Sequence, residues 1–131
     1  MILESSDASP AVARAFCDDV LAETACDAAV VGDARLAVSE LVTNAVVHAH
    51  TAIELNVFVR DDALRIEVTD FGVDRPHVWA HDATRGHGLP IIEALARSWG
   101  VLDLGSGKTV WCELPLARAP AYQPASPRSA R

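Results

Sequence analysis

Val38-Ser39-Glu40-Leu41-Val42-Thr43-Asn44-Ala45-Val46-Val47-His48-Ala49 is the stretch on which the reading of this chain turns. Apolar residues recur at three- and four-residue steps through Leu36, Ala37, Val38, Leu41, Val42, Ala45 and Val46, which predicts a helix. Glu40 and Asn44 are one turn apart and share a stripe at the border of the apolar face, and His48 continues it. A carboxylate one turn from a carboxamide suits two tasks: the carboxylate can take a proton, and the amide oxygen can ligate a hard cation such as Mg²⁺. The alternative is a partly exposed polar rim on an ordinary helix.

Around this helix, 131 residues are enough for one domain with one core. Half of them (50%) are hydrophobic, so the chain can bury a core rather than stay disordered. The net charge of −7 argues against nucleic acid or an anionic membrane surface as the main partner. It leaves room for an anionic nucleotide held by a few local donors. No apolar run approaches the ~18 residues of a transmembrane helix. The first residues, Met-Ile-Leu-Glu-Ser-Ser-Asp, lack the basic-then-apolar pattern of a signal peptide. Cys17, Cys26 and Cys112 show no metal-type spacing and read as reduced thiols of a cytosolic protein.

Upstream, Ile2-Leu3 could form an edge strand, and Ser9-Pro10 predicts a helix from Pro10 to about Thr24 with Ser9 as N-cap. Residues 25–31 are ambiguous between helix tail and loop. Gly32-Asp33 then predicts the start of the central helix, with Asp33 as its cap. After His50 the period changes to two. Ile53, Leu55, Val57 and Val59 alternate with polar or exposed positions, then Leu64, Ile66 and Val68, across an Asp61-Asp62 turn. This is an antiparallel hairpin with one face covered. Extending the alternation turns Asp70 toward the covered face, where a carboxylate needs a partner. Otherwise the strand ends at Thr69 and Asp70 opens a turn with Gly72.

Residues 72–85 have no period and read as a loop or lid; His77 and His81 there have no third metal ligand nearby. Arg85-Gly86-His87-Gly88-Leu89-Pro90 leads into a predicted helix running through Trp99 and ending at Gly100. Glycines at a helix start let backbone N–H groups approach an anion, though turn chemistry explains them equally well. A second hairpin turns at Gly105-Ser106-Gly107, with Val110, Cys112 and Leu114 on one side of the strand up to Leu116. Lys108-Thr109 could reach a phosphate, or Lys108 could be an exposed hairpin-tip lysine. From Ala117 the Pro, Ser and Arg content predicts a disordered tail over 117–131, leaving a single domain over 1–116.

These stretches together resemble the ATP-binding domain shared by histidine kinases, gyrase-type ATPases and chaperone ATPases (the GHKL superfamily, Bergerat fold). More narrowly they resemble the anti-sigma-factor serine/threonine kinases, over about residues 8–116. The carriers are Ser39-Glu40-Leu41-Val42-Thr43-Asn44-Ala45-Val46, Asp70-Phe71-Gly72, Arg85-Gly86-His87-Gly88-Leu89 and Gly107-Lys108-Thr109-Val110-Trp111. The resemblance implies an α+β two-layer sandwich, a mostly antiparallel sheet covered on one face by about three helices. It implies that Asn44 ligates Mg²⁺ on the ATP phosphates and that Glu40 is the catalytic base. It implies Asp70 accepting the adenine amine, Gly72 passing close to the base, and Gly86, His87 and Gly88 offering amides to the phosphates. Thr109 would sit near the adenine and Asp70, while Arg85 and Lys108 would contact phosphate.

The implied activity is phosphorylation of a serine or threonine on a small anti-sigma antagonist by a cytoplasmic protein that also binds a sigma factor. A homodimer through the edge near Ile2 fits the same resemblance. One departure stands out: Asp74 occupies a place where the family often has a second glycine. That charge favours the alternative of a catalytically weak or inactive nucleotide-binding partner-switching module.

Overall fold

The computed structural model describes residues 1–49, 51–72 and 89–116. Helices α1 (Ser9–Ala22), α2 (Ala28–Ala49) and α3 (Leu89–Leu95) accompany strands β1 (Ile2–Leu3), β2 (Ile53–Arg60), β3 (Ala63–Asp70), β4 (Ser98–Asp103) and β5 (Lys108–Pro115). The strands form one antiparallel sheet in the order β1-β2-β3-β5-β4. The helices cover one face of it, giving the two-layer α+β sandwich that the sequence predicts.

The period of two fixes which side chains enter the core. Leu64, Ile66, Val68 and Asp70 of β3 pair in register with Leu114, Cys112, Val110 and Lys108 of β5. Across β3's other edge, Asp70, Val68 and Ile66 pair with Ile53, Leu55 and Val57. All of these side chains are buried. Against them α2 lays Val38, Leu41, Val42 and Ala45, backed by Ala13, Cys17 and Leu21 of α1. Val59, expected on the inner side, is exposed although its register partner Leu64 is fully buried; β1 pairs only with Ile53 and Glu54, so that edge of β2 is open at Val59. That turn is made without glycine: Asp61 takes a φ of 55°, a conformation that Asp tolerates better than most residues.

Three element boundaries differ from those the sequence predicts. α2 begins at Ala28 rather than Asp33, with the Asp27 carbonyl accepting the Val30 and Val31 N–H groups at 2.9 and 3.2 Å. Gly32 is therefore interior to a helix, at a propensity cost of about 1 kcal/mol against Ala. Burial of Val30 and Ala34 on either side outweighs it. Ser9 is the first residue of α1 rather than its cap. Its hydroxyl donates to the Glu4 carbonyl and accepts the Ser6 N–H at 3.2 Å.

The third difference is larger. α3 stops at Leu95, and Trp99 and Gly100 belong to β4. Gly100 does not end a helix; it faces Trp111 across the ladder, where a Cβ would fall 2.9 Å from the indole. On this outer face the Arg65 guanidinium stacks 3.9 Å over the Trp111 ring and pairs with Glu67 at 3.0 Å. Among the described residues no helix is long and apolar enough to cross a membrane. The proposed lid, Arg85 to Gly88 and the tail lie outside the described residues.

Candidate functional site

The polar groups of the covered face collect at one end of the sheet. α2 ends at Ala49, close in sequence to Ile53, and Ile53 is the register partner of Asp70. The last turns of α2 and the last residue of β3 therefore lie at the same end of the domain. Thr51, in the connection from α2 to β2, accepts the Phe71 N–H at 3.2 Å and fixes the chain as it leaves β3.

Asn44 is buried within the apolar stripe of α2 rather than at its border, at 4% exposure. Its Oδ1 is sealed from solvent and meets no hydrogen-bond donor among the described residues. A buried amide oxygen without a donor is costly. It is also what a hard cation accepts as a ligand. Glu40, one turn earlier, is half-buried at the edge of the same stripe. The donor set thus fits a Mg²⁺-bound nucleotide in kind: one neutral oxygen ligand with a carboxylate one turn away. No group of three or more His, Cys, Asp or Glu side chains clusters to hold a metal among the described residues. Mg²⁺ commonly takes few protein ligands and completes its shell with phosphate oxygens and water.

β3 continues through Asp70, whose carboxylate is inward and 2% exposed. The strand does not end at Thr69, and Asp70 both points inward and opens an Asx turn with Gly72. Oδ1 accepts the Gly72 N–H at 3.2 Å, and Oδ2 receives the Lys108 ammonium at 2.5 Å. Lys108 is accordingly a buried residue and not an exposed hairpin tip. Its position follows from the alternation of β5, which puts Lys108, Val110, Cys112 and Leu114 on one side. The same period turns Thr109, expected beside Asp70, to the opposite face. There its hydroxyl lies 2.7 Å from that of Thr69.

The sequence reading did not single out Gly107 as part of the site. With φ at 147° it adopts a conformation that side-chain-bearing residues avoid, and a Cβ there would run into the Asp70 carbonyl oxygen. Gly107 thereby lets the β4–β5 turn close onto the end of β3. The paired glycines of Gly105-Ser106-Gly107 were the available signal. Elsewhere, a concavity of about 260 Å³ is lined by Val30, Asp33, Ala94, Leu95, Leu114 and Pro115. It lies beside the other end of β3, roughly 20 Å along the strand from Asp70, and shares none of these groups.

Fold and donor set define an α+β ATPase domain of the kind found in kinases. The chain matches the family described as histidine kinase-like ATPase domain over residues 3–113, and it belongs to that family. Among solved structures it is similar to the RsbU and RsbW domains of Rv1364c from Mycobacterium tuberculosis. That match has 22% identity and a TM-score of 0.64, covering 88% of this chain and 32% of the other. It is also similar to the histidine kinase domain of a blue-light activated histidine kinase, EL346, from Erythrobacter litoralis, at 28% identity and a TM-score of 0.53 over 66% of this chain and 45% of that one. The histidine kinase AdeS of Acinetobacter baumannii matches at 17% identity and a TM-score of 0.54, over 88% and 66%. The chain therefore spans between a third and two thirds of the length of these structures. No curated protein matches significantly.

Proposed function

We propose that the chain is a Mg²⁺- and ATP-dependent serine/threonine protein kinase of the anti-sigma type, acting in the cytoplasm. It would hold a sigma factor and phosphorylate a small antagonist protein that competes for it. The observation that carries the catalytic part is the Asn44 amide oxygen, buried without a donor one turn from Glu40 and at the Asp70 end of the sheet. Bound Mg-ATP would supply the transferable phosphoryl group and the charge neutralisation that its transfer needs. In this reading Asn44 holds the cation, and Glu40 orients the attacking hydroxyl and accepts its proton. Asp70 and Gly72 border the base, and Gly86, His87, Gly88 and Arg85 serve the phosphates. The similarity to the RsbW-containing structure supports the partner-switching role through fold alone.

A second reading, a nucleotide-binding partner-switching module with weak or no transfer, is favoured by one observation. The Asp70 carboxylate is already engaged by Lys108.

Titration calorimetry with ATP, with and without Mg²⁺, separates the outcomes. The kinase reading expects Mg²⁺-dependent binding that Asn44→Ala abolishes or uncouples from the metal. It also expects Glu40→Ala to bind Mg-ATP normally but to lose turnover of γ-labelled ATP by about 10²–10⁴-fold. Absence of binding at millimolar ATP overturns both readings and leaves a protein-binding scaffold.

A further inference from the structure

The Lys108–Asp70 pair is built into the site. The side chains are 6% and 2% exposed, and the residues are register partners on adjacent strands. Lys108 has Asp103 of β4 as its partner on the other side, and Oδ1 of that carboxylate takes the Gly105 N–H at 2.8 Å. Gly107, immediately before Lys108, closes the turn against the Asp70 backbone. The lysine therefore enters the sheet on the covered face, with its ammonium on Asp70 and away from solvent.

Both Asp70 oxygens are in use, Oδ1 by the Gly72 N–H and Oδ2 by the ammonium. An exocyclic amine on a purine is a neutral donor. Its bond to a carboxylate is charge-assisted on the acceptor side only, whereas the ammonium adds the attraction of a full opposite charge. A base amine arriving at Oδ2 thus competes with a stronger donor that is already tethered there.

We propose that Lys108 is a specificity-determining residue that occupies the base-reading carboxylate from within. The site then takes purine nucleoside triphosphates with little regard for the amine that distinguishes adenine. This inference rests on the reading of the Asp70 end as the base pocket. It gives Lys108 a place at the base rather than at the phosphates.

The test compares ATP with purine riboside triphosphate, which lacks the six-position amine, by calorimetry in the presence of Mg²⁺. A site that hydrogen-bonds a ligand group strongly rejects the analogue without it; with Oδ2 held by Lys108 the amine goes unread, so affinities within about threefold of each other are expected for the wild type. Lys108→Met keeps most of the side-chain volume and removes the ammonium from Oδ2. It should tighten ATP by about tenfold or more and leave purine riboside triphosphate unchanged. Lys108→Thr should act in the same direction, and the wild-type comparison needs no variant should either fail to fold.

A wild type that prefers ATP by tenfold or more overturns the inference. So does equal weakening of both nucleotides in Lys108→Met, which assigns the ammonium to phosphate. Failure of every protein to bind either nucleotide overturns the nucleotide site itself, and the inference with it.

Discussion

Ile66 and Asp70 stand on the same face of β3, and each is almost wholly buried. Ile66 lies between Val57 and Cys112, and every neighbour on that face is apolar. Asp70 lies between Ile53 and Lys108 and is held by an ion pair. Burial is the same, but the energetics are opposite in kind. The Ile66 region gains stability from each apolar group removed from water. At the Asp70 end two charges lose their hydration, and their attraction roughly returns what burial costs. Apolar residues of similar volume would hold that end of the sheet at least as well. The charges therefore point to chemistry rather than to stability.

The largest effect should come from breaking the polar end on one side only. Asp70→Ala leaves a buried ammonium without its carboxylate and should cost about 3–5 kcal/mol in denaturant unfolding. A loss below about 1 kcal/mol would mean that Lys108 reaches water easily and that the two regions differ less than their burial says. Next comes Gly107→Ala, which forces a Cβ toward the Asp70 carbonyl at a backbone conformation suited to glycine. It should cost about 1–3 kcal/mol. It should also weaken nucleotide binding, a readout that Ile66→Ala in the apolar middle should move far less than it moves stability.

Replacing both partners sharpens the comparison. Asp70→Leu with Lys108→Met should leave stability within about 1 kcal/mol of wild type, or raise it, and should leave ATP and purine riboside triphosphate bound alike. A double variant as unstable as Asp70→Ala would make the pair a structural requirement.

The smallest effect at neutral pH belongs to the thiols of the apolar middle. Burial pushes Cys17 up to about 11 and Cys112 up to about 12, from an ordinary value of 9.0. The folded state keeps both protons while the unfolded chain releases them above pH 9, so stability should be insensitive below that value and fall as pH rises beyond it. A thiol reagent at pH 8 should modify the half-buried Cys26 and spare Cys17 and Cys112 until the protein unfolds.

The sheet's inner face was legible because a period of two leaves little choice: Leu64, Ile66 and Val68 carry Asp70 inward with them. The same arithmetic, taken one step back from Val110, assigns Lys108 to that face too. The glycine-rich turn before it suggested an exposed tip instead. The central helix was legible from its stripe, but its start was not. Gly32-Asp33 has the local chemistry of a helix start, and only tertiary burial of Val30 and Ala34 overrides it. The end of α3 was misread for a related reason. Trp99 continues helical spacing from Leu95, and β4 has too few buried side chains to show a strand period. The family resemblance put Thr109 beside Asp70, whereas the strand period sends it to the face opposite Lys108.

β5 holds two unrelated faces in one run of residues. Its even-numbered positions, Lys108 to Leu114, belong to the polar end and the core, while Trp111 and Glu113 face Arg65 and Glu67 on the outside. Mutation can rewrite the outer positions without touching Asp70 or its partner. Substitution can thus change whatever meets the outer face while leaving the inner face intact, so long as no insertion shifts the strand by a single residue.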